Sequence, residues 1–153
     1  MLFLKSTAAS LLAVSSLVTA DLVEYNWTLR QVRASAKDTS LSVDCNLDRL
    51  MLLINDEYPG PPLRANVGDT VRINLVNEDP NMSFTLHHHG LHMLGQPYYD
   101  GNASASQCAT GVLQSQVYEF QVNEAGTHYW HGHMSMERGD GYQGGKLKIS
   151  VLR

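Results

Sequence analysis

Apolar side chains recur at every second position in four separate stretches of this chain, which is the period of a strand with one face on a core. Val23, Tyr25, Trp27 and Leu29 alternate with Glu24, Asn26, Thr28 and Arg30. The alternation returns in Val71, Ile73 and Leu75, in Tyr118, Phe120 and Val122, and in Leu147, Ile149 and Val151. Turn signals separate these runs: Asn55-Asp56, Pro59-Gly60-Pro61-Pro62, Gly68-Asp69, Asp100-Gly101 and Gly144-Gly145. No stretch carries a helical stripe bounded by caps, and 12 glycines with 5 prolines suit many short strands. The expected fold class is all-β, a single Greek-key barrel or sandwich, because an antiparallel domain of this size removes its edges by closing or by stacking two sheets.

Residues 1–20 read as a secretory signal peptide. Lys5 supplies a positive start, Ala8 to Val18 an apolar stretch, and Val18, Thr19 and Ala20 a small-residue cleavage site before Asp21. Ser10, Ser15 and Ser16 interrupt the apolar run, unlike the nearly continuous 18 or so apolar residues of a membrane span. A secreted, extracellular protein is expected, with one domain over 21–153 and no membrane partner. Its 11 lysines and arginines, one of them Lys5, face 15 acids, which argues against nucleic acid as a partner. Three sequons, Asn26-Trp27-Thr28, Asn81-Met82-Ser83 and Asn102-Ala103-Ser104, mark a glycoprotein and agree with export. The two cysteines, Cys45 and Cys108, can form one disulfide in an oxidising compartment, too few to scaffold the fold.

All seven histidines lie between His87 and His133. Two His-x-His patterns stand among them, His87-His88-His89 and His131-Gly132-His133, each at or near the end of a strand-like run. A strand sends alternate side chains to one face, so His87 and His89 point together, as do His131 and His133. If the two strands are neighbours, four imidazoles converge on one patch, a donor set for copper, zinc, iron or nickel. The plainer alternative is a wet polar surface or a set of hydrogen-bonded histidines. His88 and His128 fall on the opposite faces of their strands and His92 lies past Gly90 in a loop, so these three are expected to be non-ligands. Met93, Met134 and Met136 stand nearby; thioether sulfur favours Cu(I), but methionine more often fills gaps in a core.

Other chemistries find little support. Cys108 is flanked by Gln107 and Ala109, and the chain has no Gly-x-Ser-x-Gly elbow and no phosphate-cradling glycine loop. The cupin barrel is the nearest competing architecture; it places a glutamate soon after its His-x-His and a lone histidine later. Here no acid follows His89 until Asp100, and a second His-x-His stands in place of the lone histidine.

The ordered run His87-His88-His89-Gly90-Leu91, Asp100-Gly101, Ser106-Gln107-Cys108 and Gly126-Thr127-His128-Tyr129-Trp130-His131-Gly132-His133 resembles the N-terminal, plastocyanin-like domain of multicopper oxidases such as laccases and ascorbate oxidases. Pro59-Gly60-Pro61 and Gly68-Asp69 match that domain's upstream markers. The resemblance implies a cupredoxin fold and copper as cofactor. It implies His87 as a ligand of the type 2 copper and His89, His131 and His133 as ligands of the type 3 pair, in a trinuclear cluster that reduces dioxygen while a small-molecule substrate is oxidised. Asp100 matches an acid that the family keeps near the cluster as a proton donor; Asp-Gly is equally a common turn.

The departures from the family also carry information. His88 stands where family members usually carry tryptophan, which implies an extra imidazole near the site. The blue-copper motif, a cysteine among histidines, is absent from this sequence, so the isolated chain is expected to be neither blue nor active. In plant members the residues matching Cys45 and Cys108 bridge to companion domains. Two functions follow: an oxidoreductase part, fragment or truncated, that needs missing companion domains or a homodimer to complete its cluster, or a stand-alone secreted copper-binding module for storage, scavenging or delivery.

Overall fold

Leu22–Arg33 form β1, Leu50–Ile54 β2, Arg64–Asn66 β3, Thr70–Asn77 β4, His87–His89 β5, Ser115–Gln121 β6, Gly126–His131 β7 and Gln143–Ser150 β8. This is a computed structural model, and it describes residues 19–33 and 49–151. The strands build two four-stranded sheets, one in the order β2-β1-β4-β6 and the other in the order β3-β8-β7-β5. The fold is all-β, and the described residues add a single 3-10 turn at Pro97–Tyr99. Among them no helix is long and apolar enough to cross a membrane.

Register explains how the alternating runs make one core. β1 lies parallel to β4 with Val23 beside Val71, Tyr25 beside Ile73 and Trp27 beside Leu75. β6 runs antiparallel to β4 with Phe120 beside Val71 and Tyr118 beside Ile73. Each apolar set therefore falls on the same face, and Trp27, Leu29, Val71, Ile73, Leu75, Tyr118, Phe120 and Val122 are all buried. The second sheet sends in Trp130 and Ile149, and the rings of Trp27 and Trp130 meet across the sandwich with centroids 4.7 Å apart.

One strand went unanticipated in the sequence, and two readings differ from what is observed. β2 carries no alternation, because both its faces are covered: Leu52 and Ile54 enter the main core, while Met51 and Leu53 pack with Val32 and Tyr58 behind it. Gly144 and Gly145 form no turn but lie inside β8. A Cβ on Gly144 would stand 1.8 Å from the Trp130 indole and one on Gly60 2.6 Å from it, so these glycines make room for the ring. Val151 lies past the end of β8 and is exposed.

Residues 1–18 of the expected signal peptide and Cys45 lie outside the described residues. Cys108 is exposed and has no disulfide partner among those described.

Candidate metal centre

The two His-x-His segments meet edge to edge. β5 pairs antiparallel with β7, His87 opposite His131, His88 opposite Trp130 and His89 opposite Tyr129. Strand pleating then sends His87, His89 and His131 to one face and His88 and Trp130 to the core. The register of β7 is irregular between His128 and Trp130, one residue before His131, and such irregularities re-aim the side chains that follow. His87, His89 and His131 bring one ligand atom each within 4.8 Å of one another. His133 stands two residues past the end of β7; its ring centroid is 4.9 Å from that of His87 and 5.7 Å from that of His131.

Main-chain carbonyls choose which nitrogen each ring offers. His87 Nδ1 donates to the Asp100 carbonyl at 2.6 Å and His131 Nδ1 donates to the Gly132 carbonyl at 2.7 Å, which leaves both Nε2 atoms unprotonated in the neutral rings. His89 turns its Nδ1 towards His131 Nε2 at 3.3 Å. Two nitrogens that each stand about 2 Å from one tetrahedral ion are about 3.3 Å apart, so this pair has the spacing of two ligands sharing a metal. Burial holds His131 below the ordinary imidazole range and so favours the neutral, ligating form. His131 is buried and His87 half-buried, whereas His89 and His133 are exposed, which leaves the cluster open on one side. The Tyr129 ring stacks on His89 with centroids 4.6 Å apart and on His131 at 5.1 Å, and Arg138 donates to its hydroxyl at 3.3 Å.

Asp100 reaches the cluster chiefly through its backbone. Its carbonyl takes the hydrogen bond of His87, and its carboxylate Oδ1 lies 3.3 Å from the same Nδ1. Gly101 is needed beside it, since its φ is +79° and a Cβ there would stand 1.9 Å from the Leu86 carbonyl oxygen. The turn and the contact with a candidate ligand are thus one feature.

The other histidines divide as their strand faces dictate. His88 is fully buried against Phe120, with centroids 4.5 Å apart, and neither ring nitrogen has a hydrogen-bond partner. It adds no imidazole to the patch, because the pleat turns it into the core, where desolvation pushes its pKa down to about 3. His92 is exposed and pairs with Glu124. The His128 ring lies against Gly90 and Gly126. Met93 belongs to the core, Met134 is half-buried and Met136 is exposed.

Two residues beside the cluster escaped sequence reasoning. Thr85 and Glu137 are both buried, and Glu137 is held by the loop after β7, with its pKa pushed up to about 7 by desolvation. Neither belongs to a spaced pattern, so only the folded chain shows where they lie.

A multicopper oxidase family model matches residues 35–149. The L-ascorbate oxidase of Cucurbita maxima is 42% identical over 101 residues, which cover 66% of this chain and 17% of that protein. Laccase-24 of Oryza sativa subsp. japonica is 34% identical over 134 residues, 87% of this chain and 22% of that protein. Among solved structures, that of Fet3p, a multicopper oxidase that functions in iron import, superposes with a TM-score of 0.74 at 28% identity, covering 84% of this chain and 23% of that one. The chain thus spans about a fifth of the length of the relatives it matches. It belongs to the multicopper oxidase family.

Proposed function

We propose that His87, His89, His131 and His133 bind copper and form one half of a type 2/type 3 trinuclear cluster, with His87 on the type 2 copper and the other three on the type 3 pair. The observation that carries this reading is the register of β5 on β7, which sets His87 opposite His131 and gathers imidazoles from both His-x-His segments on one face. Copper, the cofactor of the family, would supply the electron-transfer chemistry by which dioxygen is reduced and a small-molecule substrate oxidised. The chain's own groups do the holding: carbonyls of Asp100 and Gly132 orient His87 and His131, and Tyr129 backs His89 and His131. The half-exposed Asp100 carboxylate stands where it can hold a proton beside His87. The open side of the cluster is the surface on which companion domains would complete it.

The export signal and the sequons support a secreted glycoprotein, and the side chains of Asn26 and Asn81 are exposed. A second reading, a secreted copper-binding module without turnover, draws on the exposure of His89 and His133, which leaves coordination positions open to exchange. Metal analysis of the purified secreted chain tests both, with electron paramagnetic resonance to tell isolated Cu(II) from coupled copper. Replacing His87 and His89 together by Ala is expected to remove most of the bound copper and leave the sheet's circular dichroism intact. An unchanged copper stoichiometry in that variant sinks the ligand assignment.

A further inference from the structure

We infer that Thr85 and Glu137 are positioning residues for His133, fixing the one candidate ligand that no strand holds. This rests on the copper site proposed above and goes beyond it. His87, His89 and His131 lie in paired strands, so their main chains are set by ladder hydrogen bonds. His133 lies two residues past the end of β7, and its backbone must be held some other way.

The means is a short buried relay. The His133 amide donates to Thr85 Oγ1 at 3.0 Å, the Thr85 hydroxyl donates to Glu137 Oε2 at 3.4 Å, and the Met134 amide donates to the same Oε2 at 2.9 Å. Two successive backbone amides, those of the ligand and its neighbour, are thus tied to side chains that are 0% and 2% exposed. Gly132 lets the carboxyl come this close, since a Cβ on it would stand 2.5 Å from Glu137 Oε2. The loop is closed from below as well: the Tyr142 amide donates to the Glu137 carbonyl at 3.0 Å and the Gly132 amide to the Tyr142 carbonyl at 2.9 Å. Thr85 lies just before β5 in the chain, so one hydroxyl couples the segment that carries His87 and His89 to the loop that carries His133. Partners of this kind behind a metal ligand typically govern affinity by about 10–100-fold.

The test uses the full secreted chain and Cu(II) alone, with affinity measured by chelator competition and the ligand field by electron paramagnetic resonance. Thr85→Val, which keeps the side-chain shape and removes the hydroxyl, is expected to weaken binding about tenfold and to shift the spectrum towards that of His133→Ala. Thr85→Ser, which returns the hydroxyl, should rescue both. In a His133→Ala background, Thr85→Val should cost nothing further, because the ligand it serves is gone. Glu137→Ala supplies the same readout should Thr85→Val fail to fold, as judged by thermal unfolding. Wild-type affinity in the relay variants, or an equal loss when His133 is already absent, overturns the inference and leaves the copper site standing. A wild-type chain that takes up no copper overturns the site, and the inference with it.

Discussion

His88 sits between two candidate ligands, yet its ring lies wholly in the core, and the physical consequence is a penalty. Two ring nitrogens are buried without partners against Phe120 and Tyr118. Leaving a buried polar group unpaired costs about 1–3 kcal/mol, so His88→Phe, an aromatic ring of similar size without the nitrogens, is expected to raise the unfolding free energy by about that amount. Copper uptake should be unaffected, since the ring faces away from the cluster. The pH dependence has a definite sign. In the unfolded chain the imidazole takes a proton near 6.5, whereas the buried ring resists protonation down to about 3. The unfolded state therefore binds more protons across that window, and the metal-free wild type loses stability as pH falls from 6.5 towards 3. His88→Phe should lack this part of the slope. Urea titrations of both proteins across that range measure the two effects together, and equal stabilities at every pH would contradict them.

At the scale of elements, β7 serves two purposes at once. One face delivers Trp130 to the core, and the other delivers the next residue, His131, to the candidate site. The Trp130 indole is seated on glycines, and its Nε1 donates to the Pro61 carbonyl at 2.9 Å. Gly144→Ala would place a methyl group 1.8 Å from that ring, and because the backbone fixes a Cβ in place, the ring or the strand must move. Overpacking of this kind costs about 3 kcal/mol, and it should displace Trp130 and with it the strand that carries His131. A reduced unfolding midpoint accompanied by weakened Cu(II) binding is the expected pair of observations. A midpoint equal to that of wild type would show that the seat is looser than drawn. By contrast, the Arg72–Glu119 pair joining β4 and β6 is part-exposed and screened by water, so its removal should leave the unfolding midpoint nearly unchanged.

For the whole molecule, the cluster is half of what the proposed chemistry needs, and its exposed side faces outward. The copper-loaded chain is expected to show no intense blue absorption, because neither Cys45 nor Cys108 stands among histidines and blue copper requires a thiolate with two imidazoles. A strong visible thiolate band would contradict this. On the proposed trinuclear reading, the remaining ligands would come from companion domains or from a second copy. A two-fold dimer would set the same patch of each subunit face to face. The sequon at Asn102 stands two residues from Asp100, so a glycan there would obstruct that contact. Sedimentation of the copper-loaded glycoprotein is accordingly expected to give a monomer, and a copper-dependent dimer before deglycosylation would refute the obstruction.

What the sequence determined alone was local in origin. An alternating run reports which side of its own backbone is buried, and β1, β4 and β6 were legible because one face of each meets the core while the other does not. The two His-x-His pairs were legible for the same reason, as residues two apart on an extended chain share a face. Where that condition failed, so did the reading: β2 is covered on both faces, and Gly144 and Gly145 are strand residues only because Trp130 lies across them. Only tertiary structure placed β5 beside β7, since pairing across some forty residues depends on which surfaces fit and leaves no mark in either segment. The same holds for Thr85 and Glu137, whose relay to His133 exists because the segment before β5 and the loop after β7, far apart in the chain, close on one another.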